Sequence, residues 1–600
     1  MPRSALFAAS APPVPRSLFE SRLVLWGVVA VGLAGAFGLG SVAAVMRDLA
    51  LPDTDDAMRL VAVRDLLAGQ SWSDVGQHRL QPPSGASMHW SRLVDLPIAG
   101  LILLLRPFAG AQADAVAAAL WPPLLFGLYA AGLFTGARRL FGERAAILGL
   151  FVATQTALLV SLFAPGRVDH HNVQICAVLG LGLCLMRPAP GWRAGAGAGA
   201  LAALSLAVGL ETLPFIAAAG LLVAGTWIRA GARALGAFLG FALALACGAA
   251  ALFALDTPPT AWGAPACDAL SLPWLWICAC GGVTALAAAA LRPRRAAARA
   301  ALAALGGLAM AGGLVRLAPD CLDGPFAGMP EAVREGWLTQ VREMLPLWRS
   351  LPQFPGEVLT ALMPILVGAL VASAMAWRAP PPTRRAWGIL AGALWLGAGL
   401  GLMQFRGLYV ASGFVALAGG AVLDRGLSLL REPGAAPLAR AAMLAAGIGL
   451  IGKLWFVGAA APSLLATAEA APRSDAGPSC TSRPAMAGLG RLPAGTVLAP
   501  IDLGPFLLLH TPHAVVAAPY HRALAGLSAA IAGFQDEASL RRVAGAWQVS
   551  YIAVCPPPEG ADGGAPLVGD LARGRVVPPW LEPVPMPDSP LRVWRLRPLP

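Results

Sequence analysis

Charge is what this chain has least of. Asp, Glu, Lys and Arg make up 13% of its 600 residues, hydrophobic residues make up 57%, and mean hydropathy is +0.66. A water-soluble chain is about one quarter charged, so these proportions exclude a soluble protein and indicate a polytopic membrane protein. Lysine is almost missing. Lys453 stands alone, and the formal charge of +12 is carried by arginine. The arginines cluster in short loops between apolar runs, where cytoplasmic retention puts them, so no nucleic-acid partner is implied. The nine cysteines contain no CxxC pair and no zinc-finger spacing. No internal repeat is visible, and the only biased segments are Ala/Gly-rich runs such as 194–203, whose small residues let helices approach closely in a bilayer. A cleavage site is also missing. Residues 1–22 carry Arg3, Arg16 and Arg22 ahead of an apolar run, 23–46, that is too long for a signal peptide. The run is a retained first span with a cytoplasmic N-terminus.

Basic loops recur at 138–139, 187–193, 229–233, 292–299, 377–385 and 424–440. The apolar stretches between them give about 13 spans of ~20 residues each, two of them separated by a short turn near 211–214. If the basic loops are cytoplasmic, the outer loops are 47–92, 165–172, 256–270, 318–356 and a turn at 404–407. An odd number of spans sends the C-terminus to the outer face. The short run 97–108 is expected as a helix within the first outer loop. The expected division is 1–22 as a cytoplasmic segment, 23–460 as the membrane domain and 461–600 as an outer domain. In that last part Pro, Asp, Glu and His return and apolar runs shorten. Strands are expected at 497–500, 506–509, 514–518 and 549–554, with helices at 528–534 and 540–546, which is an α/β domain of ordinary size. Cys176, Cys184, Cys247, Cys278 and Cys280 fall in spans as small core residues, whereas Cys267, Cys321, Cys480 and Cys555 fall on the oxidising face. Those four suggest two disulfides, Cys267–Cys321 and Cys480–Cys555.

The polar groups gather on that outer face. Residues 166–174 read Gly-Arg-Val-Asp-His-His-Asn-Val-Gln and place Asp169, His170 and His171 between two apolar runs. Ionisable groups beside membrane spans are costly and mark functional positions by default. An acid and an imidazole two residues apart can share a cation if the backbone turns; the plainer alternative is a polar loop cap. The first loop has three acids in four positions, Asp53, Asp55 and Asp56, which repel unless a cation or an arginine lies among them. An Asp capping a helix over 57–68 is the plainer alternative. His78, His89, Trp90 and Arg92 continue this loop as a surface suited to a sugar or headgroup. Glu331, Glu335, Arg342 and Glu343 mark the long loop 318–356, either as a surface helix or as part of a site. Arg406 ends a span, where it snorkels or pairs with a phosphate. Oxygen donors with one imidazole suit Mg²⁺ or Mn²⁺. Such an ion would neutralise charge on a departing lipid-linked phosphate.

These residues, taken in order, resemble the catalytic subunit of single-subunit bacterial and archaeal oligosaccharyltransferases, within the GT-C glycosyltransferases. Thr54-Asp55-Asp56 with Arg64-Asp65 downstream resembles the family's first acidic motif. Residues 166–172 resemble the archaeal second motif, in which an acid and the second histidine bind metal, here Asp169 and His171. Gln340-Val341-Arg342-Glu343 resembles the Thr-Ile-x-Glu motif, and Arg406 with Leu408-Tyr409 resembles the arginine that contacts the donor's pyrophosphate. The resemblance implies a GT-C fold with 13 spans and an outer C-terminal domain. It also implies Asp55 and Glu343 as catalytic residues, Asp55, Asp169 and His171 as metal ligands, Arg406 on the donor phosphate, and Asp56 and His170 as neighbours.

One motif departs from the family. Trp-Trp-Asp-Tyr-Gly stands here as Pro500-Ile501-Asp502-Leu503-Gly504, keeping Asp502 and Gly504 but neither tryptophan. The acceptor therefore does not carry over with the fold. The implied activity is inverting transfer of a sugar or oligosaccharide from a polyprenyl-(pyro)phosphate donor to a protein, lipid or glycan acceptor, at the outer face of the inner (plasma) membrane. A single-sugar GT-C transferase decorating a lipid, polysaccharide or Ser/Thr acceptor is the neighbouring expectation. A flippase for a lipid-linked sugar is a third, but few charges lie within the apolar runs. Glu211 is the main one and marks a short turn, and no inverted repeat is visible.

Overall fold

The computed structural model describes residues 22–326, 328–432, 434–456, 479–556 and 566–597. The expected N-terminal segment, apart from Arg22, and the expected domain start at 461 lie outside the described residues. Apolar runs in lipid must satisfy their backbone polar groups internally, so they fold as helices. Among the described residues nine helices are long and apolar enough to cross a membrane. Shorter apolar helices accompany them, His171–Leu185, Trp192–Val208 and Pro437–Gly449, with the pair Glu143–Gln155 and Ala157–Leu162 broken at Thr156; about 13 spans are expected from the sequence. The chain is a multi-pass α-helical membrane protein with a C-terminal sheet domain.

The bundle has a centre and a rim. In Gly407–Leu429, 78% of the apolar window is buried, against 0% in Ala296–Leu317, so the first is the axial helix and the second faces lipid. Small residues set the close crossings. A Cβ on Gly195 or Gly199 would lie 2.2 Å from the carbonyl oxygens of Ala237 and Phe241, so helices Trp192–Val208 and Ala232–Asp256 touch backbone to backbone. Cys247 on the second of these helices is exposed, contrary to its expected place as a small core residue.

The first loop is more ordered than its sequence implies. Its helix runs Thr54–Leu67 and starts earlier than expected, because Asp53 takes the N-cap and accepts from Asp55 N at 3.4 Å. Asp55 and Asp56 thus occupy the first helical turn. A small antiparallel pair follows, β1 (Gly76–Gln77) and β2 (Ala86–Ser87). Helix Arg92–Ala109 contains the expected 97–108 helix and continues through a turn at Gly110–Gln112 into Ala113–Phe141.

The C-terminal sheet has five strands, β3 (Thr496–Leu498), β4 (Ala514–Val515), β5 (Val549–Val554), β6 (Leu581–Val584) and β7 (Arg592–Leu596), in the order β4-β3-β5-β7-β6. β4, β3 and β5 run parallel, and helices Leu524–Gly533 and Glu537–Ala546 make the crossover from β4 to β5. Residues 506–509 are helical, not a strand. Pro505 near the first turn presets the backbone, and the helix runs Gly504–His510. The sheet's edge is closed by the first loop, since Gln81 N donates to Val515 O and Val515 N to Arg79 O, both at 2.8 Å. Disulfides join Cys267 to Cys321 and Cys480 to Cys555.

Gly504 enters its helix against β4's exit, where a Cβ would lie 2.2 Å from Ala517 O, whereas Gly545 faces open space. Gly504→Ala is expected to destabilise the protein by about 1–3 kcal/mol. Gly545→Ala is expected to be neutral or to stabilise by about 0.5–1 kcal/mol. Thermal unfolding of the two purified variants checks the contrast.

Candidate active site

Four helices begin at one cleft of about 1470 Å³: Thr54–Leu67, His171–Leu185, Leu213–Ala230 and Gly407–Leu429. Helix N-termini present unpaired N–H groups and partial positive charge, which suits the carboxylates and any anion collected there. The opposite wall comes from the loop around Glu343 and from the C-terminal domain.

Asp169 is the hub. Its backbone N–H donates to Asp56 Oδ1 at 3.0 Å, its Oδ1 lies 2.6 Å from His170 Nδ1, and its Oδ2 lies 3.4 Å from His171 Nε2. Arg59, fully buried, reaches Asp169 at 3.8 Å and Asp95 at 2.9 Å, and its guanidinium stacks over Trp90. Burial alone would raise the Asp169 carboxyl. The imidazoles of His170 and His171, with Arg59, override it and hold the carboxyl well below the usual range. His170 lies between Asp169 and Glu211 Oε1, 3.2 Å away, and these two carboxylates outweigh burial to lift its imidazole to about 10. Asp56, buried, is pushed up to about 7 by desolvation although Arg167 NH1 lies 3.1 Å away. The same Arg167 nitrogen also bonds Asp53 at 2.9 Å.

Glu343 and Arg406 arrive together because their backbones are tied. Arg406 N donates to Glu343 O at 2.9 Å, and Phe405 N donates to Leu345 O at 2.8 Å. The Glu343 carboxylate lies 3.7 Å from His171 Nε2 and accepts from Tyr409 Oη at 3.4 Å. Burial would raise it, but His171 and Arg406 hold it below its ordinary value. Asp55 lines the same cleft. Burial first, then the charges of Asp169, Asp53 and Glu343, push its carboxyl well above the usual range. Asp169, His170 and His171 each offer one donor atom within 4.8 Å of the others, and Asp55 lies outside that set. The donors fit a divalent cation in kind, carboxylate oxygens with imidazole nitrogen, and the crowding that raises Asp55 is what such an ion relieves. Asp502 lines the cleft, whereas Gly504, two residues on, opens helix Gly504–His510 and does not line it.

Arg59, Arg167, Glu211 and Tyr409 were not among the expected site residues. Arg167 sits inside the 166–174 stretch and Arg59 three residues past Asp56, so adjacency alone pointed at both. Glu211, expected to mark a short turn and otherwise the main acid of the flippase reading, accepts from Gln174 at 2.9 Å and faces His170. Further along the cleft is a second donor set, His89, Asp268 and His521. Burial, with the positive side of His521 and Arg522, drives the His89 imidazole down to about 3, so it stays neutral.

Asp56 also sets a pH expectation. Its folded value near 7 exceeds the ordinary 3.8, so its contribution to stability is present below 3.8 and lost as pH rises through about 7. Asp56→Asn should remove that fall, so the variant gains relative to the parent between those limits. Thermal midpoints against pH in the presence of chelator test this.

No protein-family model matches the chain, and no curated protein matches it. Solved structures do. The apo oligosaccharyltransferase of Archaeoglobus fulgidus superposes with a TM-score of 0.61 at 13% identity, over 90% of this chain and 70% of that one. The same organism's enzyme AglB, in complex with an inhibitory peptide and a dolichol-phosphate, gives 0.60 at 14% identity over the same shares. A third structure of it, tethered to an acceptor peptide containing the NVT sequon, gives 0.56 at 15%. The chain therefore has the fold of the archaeal oligosaccharyltransferases, the GT-C fold.

Proposed function

We propose that the chain is a metal-dependent glycosyltransferase that moves a sugar or oligosaccharide from a polyprenyl-(pyro)phosphate donor to an acceptor. The carrying observation is convergence: Asp55, Asp169, His171, Glu343 and Arg406, distant in sequence, line one cleft of an oligosaccharyltransferase fold. The dolichol-phosphate in AglB supports a lipid-phosphate donor, and the tethered peptide supports a protein acceptor. Residues 23–460 are assigned to the membrane domain and 461–600 to the outer domain. The cleft then faces outward from the inner (plasma) membrane, with the N-terminus in the cytoplasm.

Asp55, Asp169 and His171 would hold Mg²⁺ or Mn²⁺, which when bound supplies Lewis-acid stabilisation of charge on the phosphate. Arg59 and His170 fix the Asp169 carboxylate from behind, leaving its second oxygen toward His171. Arg406 offers its guanidinium to the donor phosphate, and the N-terminus of Gly407–Leu429 adds its partial charge. Glu343, bonded by Tyr409, and Asp55 position the acceptor nucleophile and polarise it. As the nucleophile bonds to the anomeric carbon, the carbon–oxygen bond to the phosphate breaks on the opposite face, which inverts configuration.

A second reading differs in the acceptor. Pro500 and Ile501 line the cleft where the family's tryptophans stand, beside Ile531 and Phe534. That apolar wall favours a single-sugar transferase decorating a lipid, polysaccharide or Ser/Thr acceptor, and mass spectrometry of the product separates the two. The shared chemistry is tested in purified membranes with crude polyprenyl-linked donors. Asp169→Ala and Asp55→Ala should each lower transfer by at least about 100-fold, and EDTA should abolish it until Mn²⁺ is restored. Transfer that ignores both the substitutions and EDTA would overturn the assignment.

A further inference from the structure

Glycosyl transfer leaves one set of donors unused. One ring nitrogen each of His89 and His521 and one carboxylate oxygen of Asp268 lie within 4.8 Å of one another. The three come from separate parts of the chain: the first loop, the loop between helices Ala232–Asp256 and Leu272–Leu291, and the C-terminal domain. His521 Nε2 is 2.6 Å from Asp268 Oδ2, and the rings of His89 and His521 are 4.8 Å apart. His89 Nδ1 is buried and has no hydrogen-bond partner among the described residues. An imidazole with one buried, unpartnered nitrogen beside a second imidazole and a carboxylate is an unfinished polar cluster.

We propose that His89, Asp268 and His521 form a Zn²⁺ site, separate from the Asp55, Asp169 and His171 set, that clamps the C-terminal domain to the two loops. Two imidazoles and one carboxylate are borderline donors, suited to Zn²⁺ and poorly suited to Mg²⁺. Three protein ligands leave a fourth position for water, on the side that lines the cleft. The surroundings already hold the carboxylate in place. Arg522 Nε and NH2 bond the two Asp268 oxygens at 2.8 Å, and Arg522 NH1 bonds Met88 O at 3.1 Å. The Cys267–Cys321 disulfide fixes the residue next to Asp268. Trp90 against His89 and Phe326 against His521 supply aromatic walls. Tetrahedral Zn²⁺ with bonds near 2.0–2.1 Å puts its ligand atoms roughly 3.3 Å apart, so the widest pair closes by at most about 1.5 Å through side-chain rotation. The metal takes the place of the proton shared by His521 and Asp268, and that proton is released.

The test uses the full-length protein carrying Asp169→Asn and His171→Ala, which silences the first donor set. After chelator treatment it is titrated with Zn²⁺, and with Co²⁺ as a spectroscopic probe. The expected result is one metal ion per chain, four-coordinate visible bands with Co²⁺, and a metal-induced rise in the thermal midpoint. Adding His89→Gln or His521→Ala should weaken binding at least about 100-fold and remove that rise. No bound metal in the parent, or binding that survives both substitutions, overturns the proposal. If His521→Ala fails to fold, His89→Gln decides alone, because it alters a ring whose Nδ1 has no partner to lose.

Discussion

Clustered negative charge at one cleft is the constraint on which the structure depends. Asp55, Asp169, Glu211 and Glu343 line the cleft and Asp56 is buried against Asp169, and charges so close repel unless offset. The offset is built in. Arg59 and Arg167 stand behind the acids, His170 and His171 lie among them, and Arg406 flanks them. Arg59 in turn depends on Asp95, which also holds Arg92 at 3.0 Å, so the network extends well behind the cleft. Asp55 is the acid that this network offsets least, since burial and its acidic neighbours push its carboxyl well above the usual range.

That cleft exists only because distant segments close it. Arg79 bonds the carbonyls of Leu508 and Thr511, and Arg64 bonds that of Leu509. These two arginines cap the C-terminal end of helix Gly504–His510, where cations are favoured. Tyr520 Oη donates to Thr54 O at 3.1 Å, so the C-terminal domain also touches the start of the acidic helix. A bundle of lipid-facing helices could not hold such charges alone. The docked domain supplies the second wall.

Much of this was legible because lipid makes polar residues conspicuous. Asp169, His171 and Arg406 stood out against the apolar runs beside them, and the structure gathers all three at one cleft. The span pattern was legible for the same reason. Glu211 was not, since a single acid before a proline reads as a turn, and its partner His170 is 41 residues away. Helix Gly504–His510 reads as a strand from sequence because a short apolar run has no periodicity to tell the two apart. Strands β6 and β7 were missed because Pro583 and three charged residues, Glu582, Arg592 and Arg595, dilute their pattern. Long-range pairing supplies what local sequence cannot.

The central claim is that these acids and an imidazole bind a divalent metal. Pulsed electron paramagnetic resonance of Mn²⁺ added to the purified protein tests it most directly. The account predicts a bound ion with nitrogen coupling from one coordinated imidazole, lost in His171→Ala and with the ion itself lost in Asp169→Ala. Bound Mn²⁺ without nitrogen coupling, or coupling that survives His171→Ala, would contradict it.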